Sequence, residues 1–160
     1  MSKPTLQFWY DFASTYSYLS AMRIGEMTQA AGIAVDWRPF LLGPIFQAQG
    51  WSTSPFKLYP AKGRYMIRDM ERMSADRGLV FRMPRVFPVH SVMAARLAIV
   101  GQSEGWIEAF TTALFKAQFQ SGADIADEAV VALVLNSLGL DSARLFATIG
   151  QPAVKEQLRA

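Results

Sequence analysis

Ser14, Lys62 and His90 are the side chains in this 160-residue sequence whose types and settings suit chemistry. Ser14 follows an aromatic run, Leu6-Gln7-Phe8-Trp9-Tyr10-Asp11-Phe12-Ala13, and precedes Thr15-Tyr16-Ser17-Tyr18-Leu19. Bulky aromatics suit a buried, pleated strand. A serine ahead of a helical stretch suits an N-cap, its oxygen accepting a hydrogen bond from a free N–H of the first turn. Such a junction gathers unpaired N–H donors and the positive end of the helix dipole, so it favours an anion. Two roles are open to Ser14: a cap alone, or a hydroxyl aimed at a bound thiolate, which a helix N-terminus helps to ionise. Both use the same geometry, so local sequence does not separate them. Lys62 sits at a helix start, where a flexible ammonium either reaches a carboxylate or stays solvated. His90 is the only histidine. With no second histidine or clear Asp partner it reads as a packing or capping residue, and a metal site fails for want of ligands.

Composition bounds the elements that must position these groups. The length suits one domain with a genuine core, and 51% hydrophobic residues exclude disorder. No apolar run is long enough to cross a bilayer and no signal-peptide pattern opens the chain. Net charge is +3 without a block of basic residues, so nucleic acid is not indicated. A mildly basic surface is compatible with an anionic small molecule or with ordinary solubilising charge. There is no cysteine among the 160 residues. That excludes a disulfide framework, a thiolate metal site and CxxC redox chemistry within them. We expect a cytoplasmic protein with no membrane or nucleic-acid partner.

In chain order, Lys3 to Phe12 read as a strand and Thr15 to Ala31 as a helix stopped by Gly32. Leu19, Met22, Met27 and Ala30 fall roughly on one side of that helix. Ile33 to Phe40 read as a second strand, with Pro39 marking its end or an edge. A strand–helix–strand unit of this size closes as a parallel, right-handed crossover. Leu41 to Pro60 is a long connection with a short helix around Ile45 to Gln49; its aromatics must pack onto something. Met66, Met70 and Met73 recur at helical spacing and read as core, in a helix ended by Gly78. Phe81 to Val89, with Pro84 and Pro88, is a loop. Helices then follow over Ser91 to Val100, Glu104 to Phe119, Asp127 to Leu138, Asp141 to Ile149 and Pro152 to Arg159. Ile107, Phe110, Leu114 and Phe115 form one apolar face of the second of these. The expected arrangement is a single domain over residues 1–160, with a βαβ unit over 1–40 and a loop and helical insertion over 41–160.

The stretch Phe8-Trp9-Tyr10-Asp11-Phe12-Ala13-Ser14-Thr15-Tyr16-Ser17-Tyr18-Leu19 resembles the opening of the 2-hydroxychromene-2-carboxylate isomerases and kappa-class glutathione transferases. These are DsbA-like members of the thioredoxin superfamily. Their pattern is an aromatic strand, Asp-Phe, then Ser-Pro-Tyr-Ser-Tyr/Trp-Leu. Thr15 departs from it, keeping an N–H that proline lacks, which makes for a less rigid first turn. Pro60-Ala61-Lys62-Gly63-Arg64-Tyr65-Met66 is similar to the family's Pro-x-Lys-Gly-x-Tyr-Met segment, and Met83-Pro84-Arg85-Val86-Phe87-Pro88 to its Phe-Pro segment. The resemblance implies an α/β, thioredoxin-like fold with a large all-helical insertion. It further implies that Ser14 contacts the sulfur of glutathione and that Lys62 binds the glutathione backbone. A polar loop residue would add a contact: Thr53, with Ser52 and Ser54 fitting nearly as well. Trp51 would wall the pocket or anchor the loop. Relatives continue past the Val154–Leu158 helix with a strand holding a cis-proline, a second strand, a closing helix and an acidic pair, and we expect these to be missing from the 160 residues. A two-stranded sheet leaves an open edge, so we expect a second copy to cover it in a homodimer.

The implied activity is a glutathione-dependent isomerase of the 2-hydroxychromene-2-carboxylate isomerase type, acting on an aromatic keto acid. Two alternatives stay open. One is a kappa-type glutathione transferase acting on small electrophiles; the other is a DsbA-like binding module without chemistry.

Overall fold

A computed structural model describes residues 3–159. Strand β1 (Thr5–Tyr10), helix α1 (Thr15–Ala31) and strand β2 (Ala34–Pro39) form the opening unit. The strands pair in parallel, from Thr5 opposite Ala34 to Tyr10 opposite Pro39. Alternation sends Phe8 and Tyr10 to one face, where their rings stack 5.4 Å apart and each meets Trp37 edge-on. Trp9 points the other way and stays exposed, with the Arg38 guanidinium 6.0 Å from its ring centroid.

Helix α1 begins after Ser14 and ends at Gly32, whose φ of 69° lies in the left-handed region that glycine tolerates. Its buried face differs from the expected one. Tyr18, Leu19, Ile24 and Thr28 point inward, whereas Met27 and Ala30 are exposed. The reason is local: the Thr28 hydroxyl donates to the Ile24 carbonyl at 2.7 Å. That satisfies its polarity and lets its methyl group take a core position that apolar counting gives to methionine.

The connection carries α2 (Leu42–Ala48) and α3 (Pro55–Leu58). Helix α2 starts three residues earlier than its apolar pattern suggests, because the Leu42 N–H finds an acceptor in the distant Asp11 carboxylate at 2.7 Å. Phe46 stacks on Trp51 at 5.6 Å and Trp51 meets Tyr59 edge-on, which gives the connection a small core of its own. Helix α4 (Pro60–Asp76) buries Met70 fully and packs Met66 and Met73 against the core, as the methionine spacing predicts.

Five helices complete the described residues: α5 (Val92–Glu104), α6 (Ile107–Phe119), α7 (Glu128–Ser137), α8 (Ser142–Thr148) and α9 (Pro152–Gln157). Helix α6 is central, with Ile107, Phe110, Leu114 and Phe115 buried as expected. It starts later than expected because α5 runs through Glu104 and ends at Gly105, which has a φ of 83°. Asp127 and Asp141 cap α7 and α8 by accepting from backbone N–H groups. Tyr10 crosses the core to reach Thr111 of α6 at 2.7 Å, and Phe12 packs on Phe115 at 5.0 Å. The end of β1 is thereby held against the middle of α6.

Close packing also fixes α3 on α4. A Cβ at residue 63 would stand 2.6 Å from the Phe56 carbonyl oxygen, a backbone atom with little room to yield. Gly63→Ala is expected to cost about 1–3 kcal/mol, the range for overpacking. Urea denaturation should show a lower midpoint at unchanged m-value.

Candidate functional site

The junction after β1 is built by Asp11. Its Oδ1 accepts from the Ala13 N–H at 2.8 Å and the Ser91 hydroxyl at 2.7 Å, and its Oδ2 accepts from the Leu42 N–H at 2.7 Å. Its own backbone C=O accepts from the Ser14 N–H at 2.9 Å. One buried carboxylate thus sets the strand-to-helix turn and draws the starts of α2 and α5 to it.

Ser14 caps α1: its Oγ accepts from the Ser17 N–H at 3.2 Å, while the Ser17 Oγ accepts from the Asp11 N–H at 3.4 Å. A hydroxyl carries one donor hydrogen besides its lone pairs. Capping occupies a lone pair and leaves that hydrogen for a second acceptor. The first-turn N–H groups of Thr15 and Tyr16 have no intrahelical acceptor. Thr15 itself is buried, and its Oγ1 has no hydrogen-bond partner among the described residues.

These groups border a cavity of about 720 Å³. Its walls are the start of α1, the start of α2, the loop from Trp51 to Lys57, the start of α4 and the segment Phe87–Val92. Ser14, Trp51, Thr53 and Lys62 all lie on it, so the residues singled out in sequence converge on one space. Ser52 and Ser54 border it too, and the Ser54 Oγ is buried without a partner among the described residues. Trp51 fills both of its alternatives, anchoring the loop through Phe46 while lining the cavity. Lys62 is exposed in the first turn of α4.

His90 departs from the expectation of packing or capping. Its neighbours Val89 and Ser91 are the buried ones, and Ser91 takes the N-cap position of α5, its hydroxyl donating to Asp11 rather than capping the helix. The extended segment alternates, which leaves His90 exposed on the border of the cavity. Sequence reasoning also missed Asp11 and the aromatic lining from Tyr16, Phe56, Tyr65 and Phe87. An Asp two residues before a turn alanine, itself followed by a cap serine, was the available signal for Asp11. Met66 lines the cavity as well as packing on the core.

The lining is mostly apolar and aromatic, with positive charge from Lys57 and Lys62. Asp11 is its one acidic side chain among the described residues, and both oxygens already have donors. Such a space suits a partly aromatic anion. Beside it the Tyr16 hydroxyl donates to Asp69 Oδ2 at 2.9 Å, tying α1 to α4. Partial burial, then the Asp69 carboxylate, push the Tyr16 phenol up to about 12. Among the described residues no group of three or more His, Cys, Asp or Glu side chains could hold a metal ion. No described helix is long and apolar enough to cross a membrane.

Comparison with known proteins gives a consistent picture. The family model of the DSBA-like thioredoxin domain matches residues 5–160. A 2-hydroxychromene-2-carboxylate isomerase from Sphingobium xenophagum is 27% identical over 156 residues, spanning 97% of this chain and 78% of the relative. The solved structure of a 2-hydroxychromene-2-carboxylate isomerase superposes with a TM-score of 0.86 at 22% identity, over 97% of this chain and 75% of that one. The cytosolic disulfide reductase DsbM from Pseudomonas aeruginosa, solved with GSH, gives a TM-score of 0.67 at 15% identity, over 97% of this chain and 76% of that one. At these identities the structural likeness shows the fold.

Two stability outcomes test the site's framework. Asp11→Ala leaves three donors without their acceptor and is expected to cost about 3 kcal/mol or more, against about 1–2 kcal/mol for Ser91→Ala. Denaturant titration measures both, and exchange of the Leu42 amide should quicken in the first variant. The second outcome concerns pH. The folded-state Tyr16 value of about 12 lies above the ordinary 10.0. Its contribution is therefore complete below about pH 10 and is lost as pH rises from there towards 12. Tyr16→Phe should flatten the fall of melting temperature across that alkaline range.

Proposed function

Because the chain belongs to the DSBA-like thioredoxin domain family, we propose that it is a glutathione-dependent isomerase of the 2-hydroxychromene-2-carboxylate isomerase type, acting on an aromatic keto acid. The observation that carries this reading is the Ser14 hydroxyl: it caps α1 through a lone pair and keeps its hydrogen for an anion at the cavity wall. A sequence without cysteine has no sulfur nucleophile of its own in that position. When bound, glutathione supplies a thiolate able to add reversibly to a conjugated keto acid and so permit rotation about the former double bond.

The residues present fit that group. Ser14 and the free N–H donors of the first turn offer hydrogen bonds to a thiolate, and the α1 dipole favours its charge. Lys62 and Lys57 bring ammonium groups to the same cavity for carboxylates. Thr53 offers a hydroxyl for peptide groups at the cavity wall, whereas the Ser54 Oγ is buried away from solvent. Trp51, Phe56 and Phe87 supply flat apolar surface for an aromatic ring and limit water.

The isomerase assignment follows the relative that spans nearly the whole chain. Kappa-type transfer to other electrophiles would use the same thiolate site with a different second substrate. Turnover of 2-hydroxychromene-2-carboxylate against that of a chloronitrobenzene separates the two.

Ser14→Ala is the direct test. Loss of the cap alone should lower stability by about 1 kcal/mol. Loss of the thiolate contact should also reduce the ultraviolet thiolate absorbance of bound glutathione. Titration calorimetry on the unaltered protein should detect glutathione binding; its absence, or an unchanged absorbance in the variant, would refute the assignment.

A further inference from the structure

The unassigned group on the cavity wall is His90. Its position follows from Asp11. One carboxylate oxygen, Oδ1, accepts from Ala13 N–H at 2.8 Å and from Ser91 O–H at 2.7 Å. Ala13 immediately precedes Ser14, and Ser91 immediately follows His90. Two side chains that are 76 positions apart in number (14 and 90) are therefore each one residue from a shared anchor atom. Buried Val89 and buried Ser91 fix the backbone on either side of His90, while His90 itself is exposed and lines the cavity. A residue held this way has a set backbone position and a side chain without a partner among the described residues, free to bind.

From this juxtaposition we propose that His90 is a substrate-binding residue, its imidazole donating a hydrogen bond to an acidic oxygen of the substrate beside the Ser14 thiolate site. The choice of an aromatic keto acid as substrate rests on the function proposed above. The placement of His90 rests on the Asp11 anchor alone. The other ionisable or charged groups lining the cavity are Asp11, Tyr16, Lys57, Lys62 and Tyr65. Both oxygens of Asp11 are engaged by donors, and the Tyr16 hydroxyl is turned to Asp69. The two lysines supply charge that does not need a histidine's protonation.

The test uses the protein without glutathione and benzylidenepyruvate, an aromatic conjugated keto acid, as probe. Since the sequence has one histidine, its imidazole gives a single Cε1–H signal in proton–carbon spectra. Saturation with the probe should move that signal. His90→Gln should weaken probe binding about tenfold, as loss of a hydrogen bond to a charged oxygen implies. Glutathione affinity and melting temperature should stay the same in that variant. An imidazole signal that does not respond, a variant with wild-type affinity, or no probe binding at all would each overturn the role of His90. Failure to bind glutathione with an intact imidazole response would instead overturn the glutathione reading and leave His90 as an acid-binding residue.

Discussion

The structure depends on a carboxylate with almost no contact with solvent, that of Asp11. Moving an ionised carboxylate out of water costs several kcal/mol unless donors replace the water. Here three do, one of them 31 and another 80 residues away along the chain. The bonds are mutually dependent: each donor is positioned because the acceptor is fixed, and the acceptor is tolerable because all are present. The turn into α1, the start of α2 and the start of α5 therefore form one cooperative knot. The cavity is the space left between the segments that meet there.

What holds the knot in place is aromatic packing rather than sheet area. Two six-residue strands pair with only one another among the described residues, and a two-stranded sheet is marginal by itself. Stability comes from the slab beneath it. Phe8, Tyr10, Phe12, Phe115 and Phe119 meet in stacked, edge-on or tilted pairs that run from β1 to α6. Aromatic contacts of this kind contribute beyond their buried area, and the Tyr10–Thr111 hydrogen bond fixes the rotation of the slab. Asp11 lies directly between Tyr10 and Phe12, so the anchor of the site and the anchor of the core are consecutive residues.

That continuity explains which parts were legible in the sequence. The two strands, the bounds of α1 and the inner face of α6 follow from local pattern, because aromatic content, apolar spacing and glycine stops mark them. The inner face of α1 did not, because Thr28 neutralises its hydroxyl within the helix and so counts as apolar in place. Ser14, Trp51 and Lys62 could be singled out from motifs, each with a plausible bland role beside the chemical one. The part Asp11 plays in the site, and the exposed setting of His90, could not be read there. Their roles arise from contacts across dozens of residues, and one acidic or imidazole side chain carries no trace of such a partner. Gly63 is intermediate: its presence was visible, but the reason, the approach of the Phe56 carbonyl, is a tertiary fact.

The two roles of Ser14 that compete in the sequence are compatible in the structure. Competition would arise only if both needed the same lone pair or the same hydrogen. The cap takes a lone pair, and an anion would take the hydrogen. An anion there would also see the first-turn N–H groups, including that of Thr15, where a proline would have none. The substitution of Thr for Pro therefore exchanges a stiffer first turn for one more donor at the place where negative charge would gather. With the Thr15 side chain buried against the core, packing supplies the constraint that the ring would have given. The helix start is then held by its surroundings at the cavity wall.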